Sequence, residues 1–139
     1  MGGTSLVMLV PRRRTDVYSA AFPPTVKSVP EARHFLCDAI APRLAPEALD
    51  VALLLVSELA TNAVMHAATP FVVDVRMAPS SLRISVADGD DHTPTVAERD
   101  RATPGGFGLY LVEQLAARWG IDATDQGEHG KEVWFELEL

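Results

Sequence analysis

Glu58, Asn62 and His66 are spaced by four residues, so on a helix they stack along one side of the cylinder. A carboxylate, an amide and an imidazole in a row can move a proton, give a hard oxygen to a cation and shape the space beside them. Such a row is either a solvated face or the wall of a pocket. Val51, Leu54 and Leu55 continue the same side toward the N-terminus, where water would not favour them, which argues for a partly apolar pocket. Asp88 and Gly89 follow an apolar run. A carboxylate at a strand end can accept a hydrogen bond from an exocyclic amine such as that of adenine, and glycine lets the backbone turn and a ligand approach. An Asp-Gly pair is also an ordinary turn. Gly105, Gly106 and Gly108, around Phe107, lead directly into Leu109. Bare backbone N–H groups at the start of a helix suit a phosphate, with a hinge or simple helix entry as the alternative. The segment is neither a G-x-x-x-x-G-K-[ST] loop nor a full dinucleotide fingerprint. Lys131, between Gly130 and Glu132, reads as a turn lysine, either on the surface or touching phosphate. His92 and His129 have no partner at metal-ligand spacing, so the sequence gives a structural zinc site no support.

The elements that must carry these residues follow from periodicity. Ser28, Pro30 and Glu31 predict a helix start of the capping-box kind. Val29, Ala32, Leu36, Ala39 and Ile40 recur at helical intervals as far as Pro42. A second, longer helix is predicted from Pro46 and Glu47 to about Ala68, stopped by Thr69 and Pro70. Leu49, Leu53, Val56, Ala60, Ala63 and Ala67 form its expected core stripe, opposite the polar row. Alternation predicts strands at Phe71 to Met77 and Leu82 to Val86, joined as an antiparallel hairpin. Asp88 to Gly108 shows no apolar period and reads as a lid-like loop. Leu109, Val112, Leu115, Ala116 and Trp119 predict a third helix closed by Gly120, and Val133, Phe135, Leu137 and Leu139 a last strand. Helices interleaved with antiparallel strands suit a two-layer α+β sandwich with helices on one sheet face.

With 139 residues, 47% of them hydrophobic, the chain is sized for a single core. A net charge of −7 argues against sequence-independent nucleic-acid binding, which relies on cations to neutralise phosphates. Arg12, Arg13 and Arg14 form either a solvated arm or a docking element for an acidic partner. No apolar run reads as a membrane span and the first residues do not read as a secretory signal, so a cytoplasmic protein is expected. Cys37, the lone cysteine, reads as a small buried hydrophobe.

Three segments together resemble the nucleotide-binding boxes of the anti-sigma-factor serine kinases: Ser57 to Ala67, Val86 to Gly89, and Gly105 to Val112. That family is a branch of the histidine-kinase-like ATPases, with gyrase, heat-shock chaperones, mismatch-repair ATPases and sensor histidine kinases. The resemblance runs from about Phe22 to the C-terminus and includes Gly130 to Leu137. It implies the Bergerat-type fold, with a mixed, mostly antiparallel sheet, in a domain over residues 16–139; residues 1–15 have no counterpart in the family and read as a flexible arm. It also implies ATP and Mg²⁺ as cofactors. Asn62 would be a metal ligand, Glu58 the general base, and Asp88 with Gly89 the adenine contact. The segment Thr103 to Gly108, with Gly105, Gly106 and Phe107, would form the phosphate lid, anchored by Leu109 and Val112, and His66 would shape the pocket. The implied activity is sequestration of a sigma factor and phosphorylation of an anti-anti-sigma antagonist by a homodimer. A nucleotide-responsive binding module without kinase activity is the alternative; a detached sensor-kinase catalytic domain would not need a base at Glu58. Asp90 and Asp91 stand where many relatives have a second glycine. Glu132 is taken to stand where relatives have a small hydroxyl residue near the adenine pocket.

Overall fold

The computed structural model describes residues 15–90, 108–124 and 130–139. Strand β1 (Asp16–Phe22) leads to helix α1 (Ser28–Ile40), a short 3-10 turn (Ala41–Arg43) and helix α2 (Pro46–Asn62), whose end widens into a π turn (Ala63–Ala67). Strands β2 (Phe71–Met77) and β3 (Ser81–Asp88), helix α3 (Gly108–Leu115) and strands β4 (Arg118–Thr124) and β5 (Gly130–Glu138) complete the chain. The strands form one sheet in the order β1-β2-β3-β5-β4. Every pair among the described residues is antiparallel, within the α+β sandwich and mostly antiparallel sheet that were expected; the parallel pairing that a mixed sheet needs does not occur among them.

Period-two alternation decides the core. Phe71, Val73, Val75, Met77, Leu82, Ile84, Val86, Val133, Phe135 and Leu137 are all buried on the face that the helices cover. From α1, Ala32, Leu36 and Ile40 pack onto them, and from α3, Leu109 and Val112. Phe22 stacks on Phe71 with ring centroids 5.4 Å apart and meets Phe35 edge-on at 6.2 Å, which ties β1 and α1 to the sheet. Offset and edge-on contacts of this kind are the favoured aromatic geometries.

Several expectations change in the structure. Lys27, not Ser28, precedes α1, and no side chain caps it. Ser28 is fully buried, and its hydroxyl donates to the Pro23 carbonyl at 2.7 Å, so it braces the preceding turn. The core stripe of α2 is Ala52, Leu55, Val56, Leu59, Ala60 and Ala63, rotated from the one expected. Leu49, Leu53 and Ala67 are only partly buried, while Leu55 faces the core and not the polar row. The span Pro46–Ala67 is apolar and long enough to cross a membrane, contrary to expectation, yet its apolar stripe lies against the sheet.

Helix α3 stops at Leu115, and Trp119 lies in β4. Gly120 does not close a helix. A Cβ there would lie 2.7 Å from the Trp134 indole, so the residue is glycine because a ring covers it. Strand β1 had no sequence prediction of its own. The Arg12 to Arg14 arm, most of the loop after Asp88, and His92 and His129 lie outside the described residues.

Candidate functional site

The candidate residues sit on elements that pack together: α2, which carries Glu58 and Asn62, packs against α3, against β3, which ends in Asp88, and against β5, which carries Lys131. Ser57 donates its hydroxyl to the Leu53 carbonyl at 2.6 Å and Thr61 to that of Ser57 at 2.7 Å. These bonds within the helix occupy the two hydroxyls beside Glu58. Glu58 is half-buried, and burial holds its carboxyl pKa above the ordinary 4.5, because the charged form loses solvation. Such a shift moves a carboxylate toward the basicity a proton acceptor needs near neutral pH. Asn62, also half-buried, is the last α-helical residue, one turn further along.

Beyond Asn62 the helix departs from the expected geometry. The Ala68 N–H donates to the Ala63 carbonyl at 3.0 Å, an i→i+5 bond that puts more residues into the turn than an α-helix holds. Each residue then advances less around the axis, so His66 rotates off the line through Glu58 and Asn62 and is exposed. Ala68 takes the left-handed conformation at φ 55° and ends the helix. Thr69 follows, and its hydroxyl accepts the Gly89 N–H at 2.9 Å, stapling the helix end to the end of β3. The sequence marks Thr69 only as part of the helix stop; a threonine just past a helix carries no signal for such a contact.

Asp88 is the one buried acidic residue among those described, with 4% of its surface exposed. Alternation puts it on the covered face with Leu82, Ile84 and Val86, and the register sets it opposite Lys131 of β5. The Lys131 ammonium donates to both carboxylate oxygens, at 2.9 and 3.0 Å, and to the Asp90 carbonyl at 3.3 Å. The Asp90 N–H donates to Asp88 Oδ1 at 2.9 Å. Lys131 is thus a strand residue, and among the described residues its partners are carboxylate and carbonyl. Gly89 does not take the left-handed conformation, and a Cβ there would meet Thr69 at an ordinary 3.5 Å; the conformational freedom expected of it is not used.

Glu132 does not stand beside Asp88. It follows Lys131 in β5, so its side chain lies on the other sheet face, where Asp74, Arg76, Arg83, Ser85 and Glu132 line a shallow cleft. On that face Arg83 lies 3.9 Å from the Trp134 ring centroid and pairs with Glu136 at 3.2 Å. Trp134 Nε1 donates to Asp122 at 3.1 Å.

Gly108 opens α3, and Leu109 and Val112 anchor that helix in the core. Gly105, Gly106 and Phe107 lie outside the described residues. Among the described residues no cluster of three or more His, Cys, Asp or Glu could hold a metal ion. The Asn62 amide is a hard oxygen donor, which fits Mg²⁺ shared with phosphate and water better than a metal caged by protein.

Residues 22–137 match the family described as the histidine kinase-like ATPase domain. A comparison with curated proteins finds no match. Among solved structures, the chain is similar to the RsbU and RsbW domains of Rv1364c from Mycobacterium tuberculosis. Identity is 18% and the TM-score 0.66, over 88% of this chain and 32% of that one. The likeness carries the fold, and this chain spans about a third of that protein's length.

Proposed function

We propose, from the premise that this chain belongs to the histidine kinase-like ATPase domain family, that it binds ATP with Mg²⁺ and works as an anti-sigma factor and protein serine/threonine kinase. The observation that carries this reading is the pairing on α2 of a half-buried Glu58, its pKa raised by burial, with Asn62 one turn away. Bound ATP with Mg²⁺ would supply the transferable phosphoryl group. Asn62 would offer its amide oxygen to the metal, and Asp88 would accept from the amine of the base. Glu58 would orient the attacking hydroxyl and take its proton; in phosphoryl transfer, positioning and charge stabilisation supply most of the catalysis. The resemblance of the three boxes to the anti-sigma-factor kinases supports a sigma factor and an anti-anti-sigma protein as partners, a homodimer as the working form and the cytoplasm as its place.

The test is transfer of label from γ-labelled ATP to a serine or threonine of an antagonist-type domain. The reading expects transfer by the wild type and its collapse in Glu58→Gln with nucleotide affinity kept. Nucleotide binding without transfer to any antagonist tested would give the lead to a regulatory binding module.

A further inference from the structure

The bonds around Asp88 leave little unspent. An ammonium has three N–H donors, and Lys131 directs them at Oδ1, Oδ2 and the Asp90 carbonyl. Oδ1 receives a second donor from the Asp90 N–H, which fills it. Oδ2 has only Lys131 among the described residues, so one lone-pair direction remains. Among the described residues the carboxylate is therefore fixed in rotation, with a single position left for an incoming N–H. The two Lys131 bonds to the carboxylate have ordinary lengths, while the third, at 3.3 Å, lies beyond the usual N–H···O range. That third proton costs least to redirect.

We infer that Lys131 is a specificity-determining residue of the base site: its ammonium donates directly to a ring nitrogen of the bound base, so that Asp88 and Lys131 read two adjacent atoms of one purine edge. The inference rests on the reading that Asp88 faces the base. Adenine presents an amine donor and, next to it, the N1 acceptor. The amine suits the open position on Oδ2, and N1 then lies beside the ammonium. Guanine in the same pose would set its carbonyl oxygen against the carboxylate and its N1–H against the ammonium. Two like partners would face each other, and such juxtapositions discriminate as strongly as the attractive ones. A neutral side chain in place of Lys131 would be a weaker donor and would leave a buried carboxylate without its counter-charge.

The test is calorimetric titration with ADP and with 1-deaza-ADP, which has C–H in place of N1, both with Mg²⁺. The wild type should prefer ADP by about tenfold, the worth of one charge-assisted hydrogen bond. In Lys131→Met that preference should fall to within about twofold, while ADP itself weakens. Lys131→Thr also removes the ammonium and is scored where the methionine variant loses the wild-type circular dichroism; the wild-type ratio stands without either. A purely structural lysine would weaken both nucleotides alike, and a ratio kept at its wild-type value in the variant would overturn the inference. So would a wild-type ratio near one. If the wild type binds neither nucleotide, the base-site reading itself fails, an outcome separate from binding without discrimination.

Discussion

Asp88→Ala should destabilise the fold through the charge it strands. Asp88 is 4% exposed, and the Lys131 side chain 12%. Removing the carboxylate takes two of the three partners from a nearly buried ammonium and leaves the Asp90 N–H without its acceptor. Breaking a buried pair on one side costs roughly 3–5 kcal/mol. Lys131 keeps a little exposure and a long stem that can carry its head toward water, which places the expected loss near the lower end, at about 3 kcal/mol. For a chain of this size that is roughly 10 °C in Tm. In Asp88→Ala/Lys131→Met neither charge is stranded, so the loss should be smaller than in Asp88→Ala alone, with a coupling of about 2 kcal/mol. Urea unfolding followed by circular dichroism measures all the variants on one scale. A loss below about 1 kcal/mol in the single variant, the level of an exposed ion pair, would mean that the pair is not buried in solution. Additivity of the two substitutions would equally refute the pairing.

Gly120→Ala forces a methyl group to within 2.7 Å of an indole held by Asp122 and Arg83. It should cost about 1–3 kcal/mol, together with a shift in tryptophan emission, measured by fluorescence-detected unfolding. Ser28→Ala removes a buried hydroxyl that donates to the Pro23 carbonyl, which keeps the Thr25 N–H as a second donor, so the expected loss by the same assay is that of one hydrogen bond, about 1 kcal/mol. Because Glu58 is raised in the folded protein, its ionisation opposes folding. The penalty is present above the folded pKa and vanishes as pH falls below the unfolded value near 4.5. Glu58→Gln should therefore be at least as stable as the wild type at neutral pH, with the difference closing in acid, as parallel urea titrations would show. If Glu58 is the base, the acid limb of the rate profile should lie above pH 4.5 and disappear in the glutamine variant.

The sequence showed the sheet wherever alternation was strong. Phe71 to Met77, Leu82 to Val86 and Val133 to Leu137 all carry large apolar residues on one side, and all three are strands. Strand β1 lacks that contrast, since its inward residues include Ala20 and its outward ones Val17 and Ala21. Strand β4 was concealed by Trp119, which continues a helical stripe by spacing, and by Gly120, which looks like a helix stop. Nothing local announces that Trp134, in a later strand, lies over that glycine. The site was legible as residue types, with Glu58 and Asn62 on one helix and Asp88 at a strand end. The pairing of Asp88 with Lys131 was latent in the same alternation, since Lys131 shares a parity with Val133, Phe135 and Leu137. Reading the segment as a turn concealed it, while the place of Glu132 near the base came from the family resemblance and not from the alternation, which sets its side chain on the other sheet face. The π turn has no sequence signal here: Ala63 to Ala67 is a good helical segment, and nothing in it announces the i→i+5 bond at its end.

Everything proposed for Glu58, Asn62 and Asp88 depends on the chain holding a nucleotide with its metal. The most direct measurement is calorimetric titration of the wild-type chain with ADP and ATP, with Mg²⁺ and then with the metal chelated. Binding should be saturable and one-to-one, should weaken when Mg²⁺ is removed and should weaken again in Asn62→Ala. Failure of both nucleotides to bind at millimolar concentration with Mg²⁺ present, by a chain whose circular dichroism shows it folded, would contradict the proposed function.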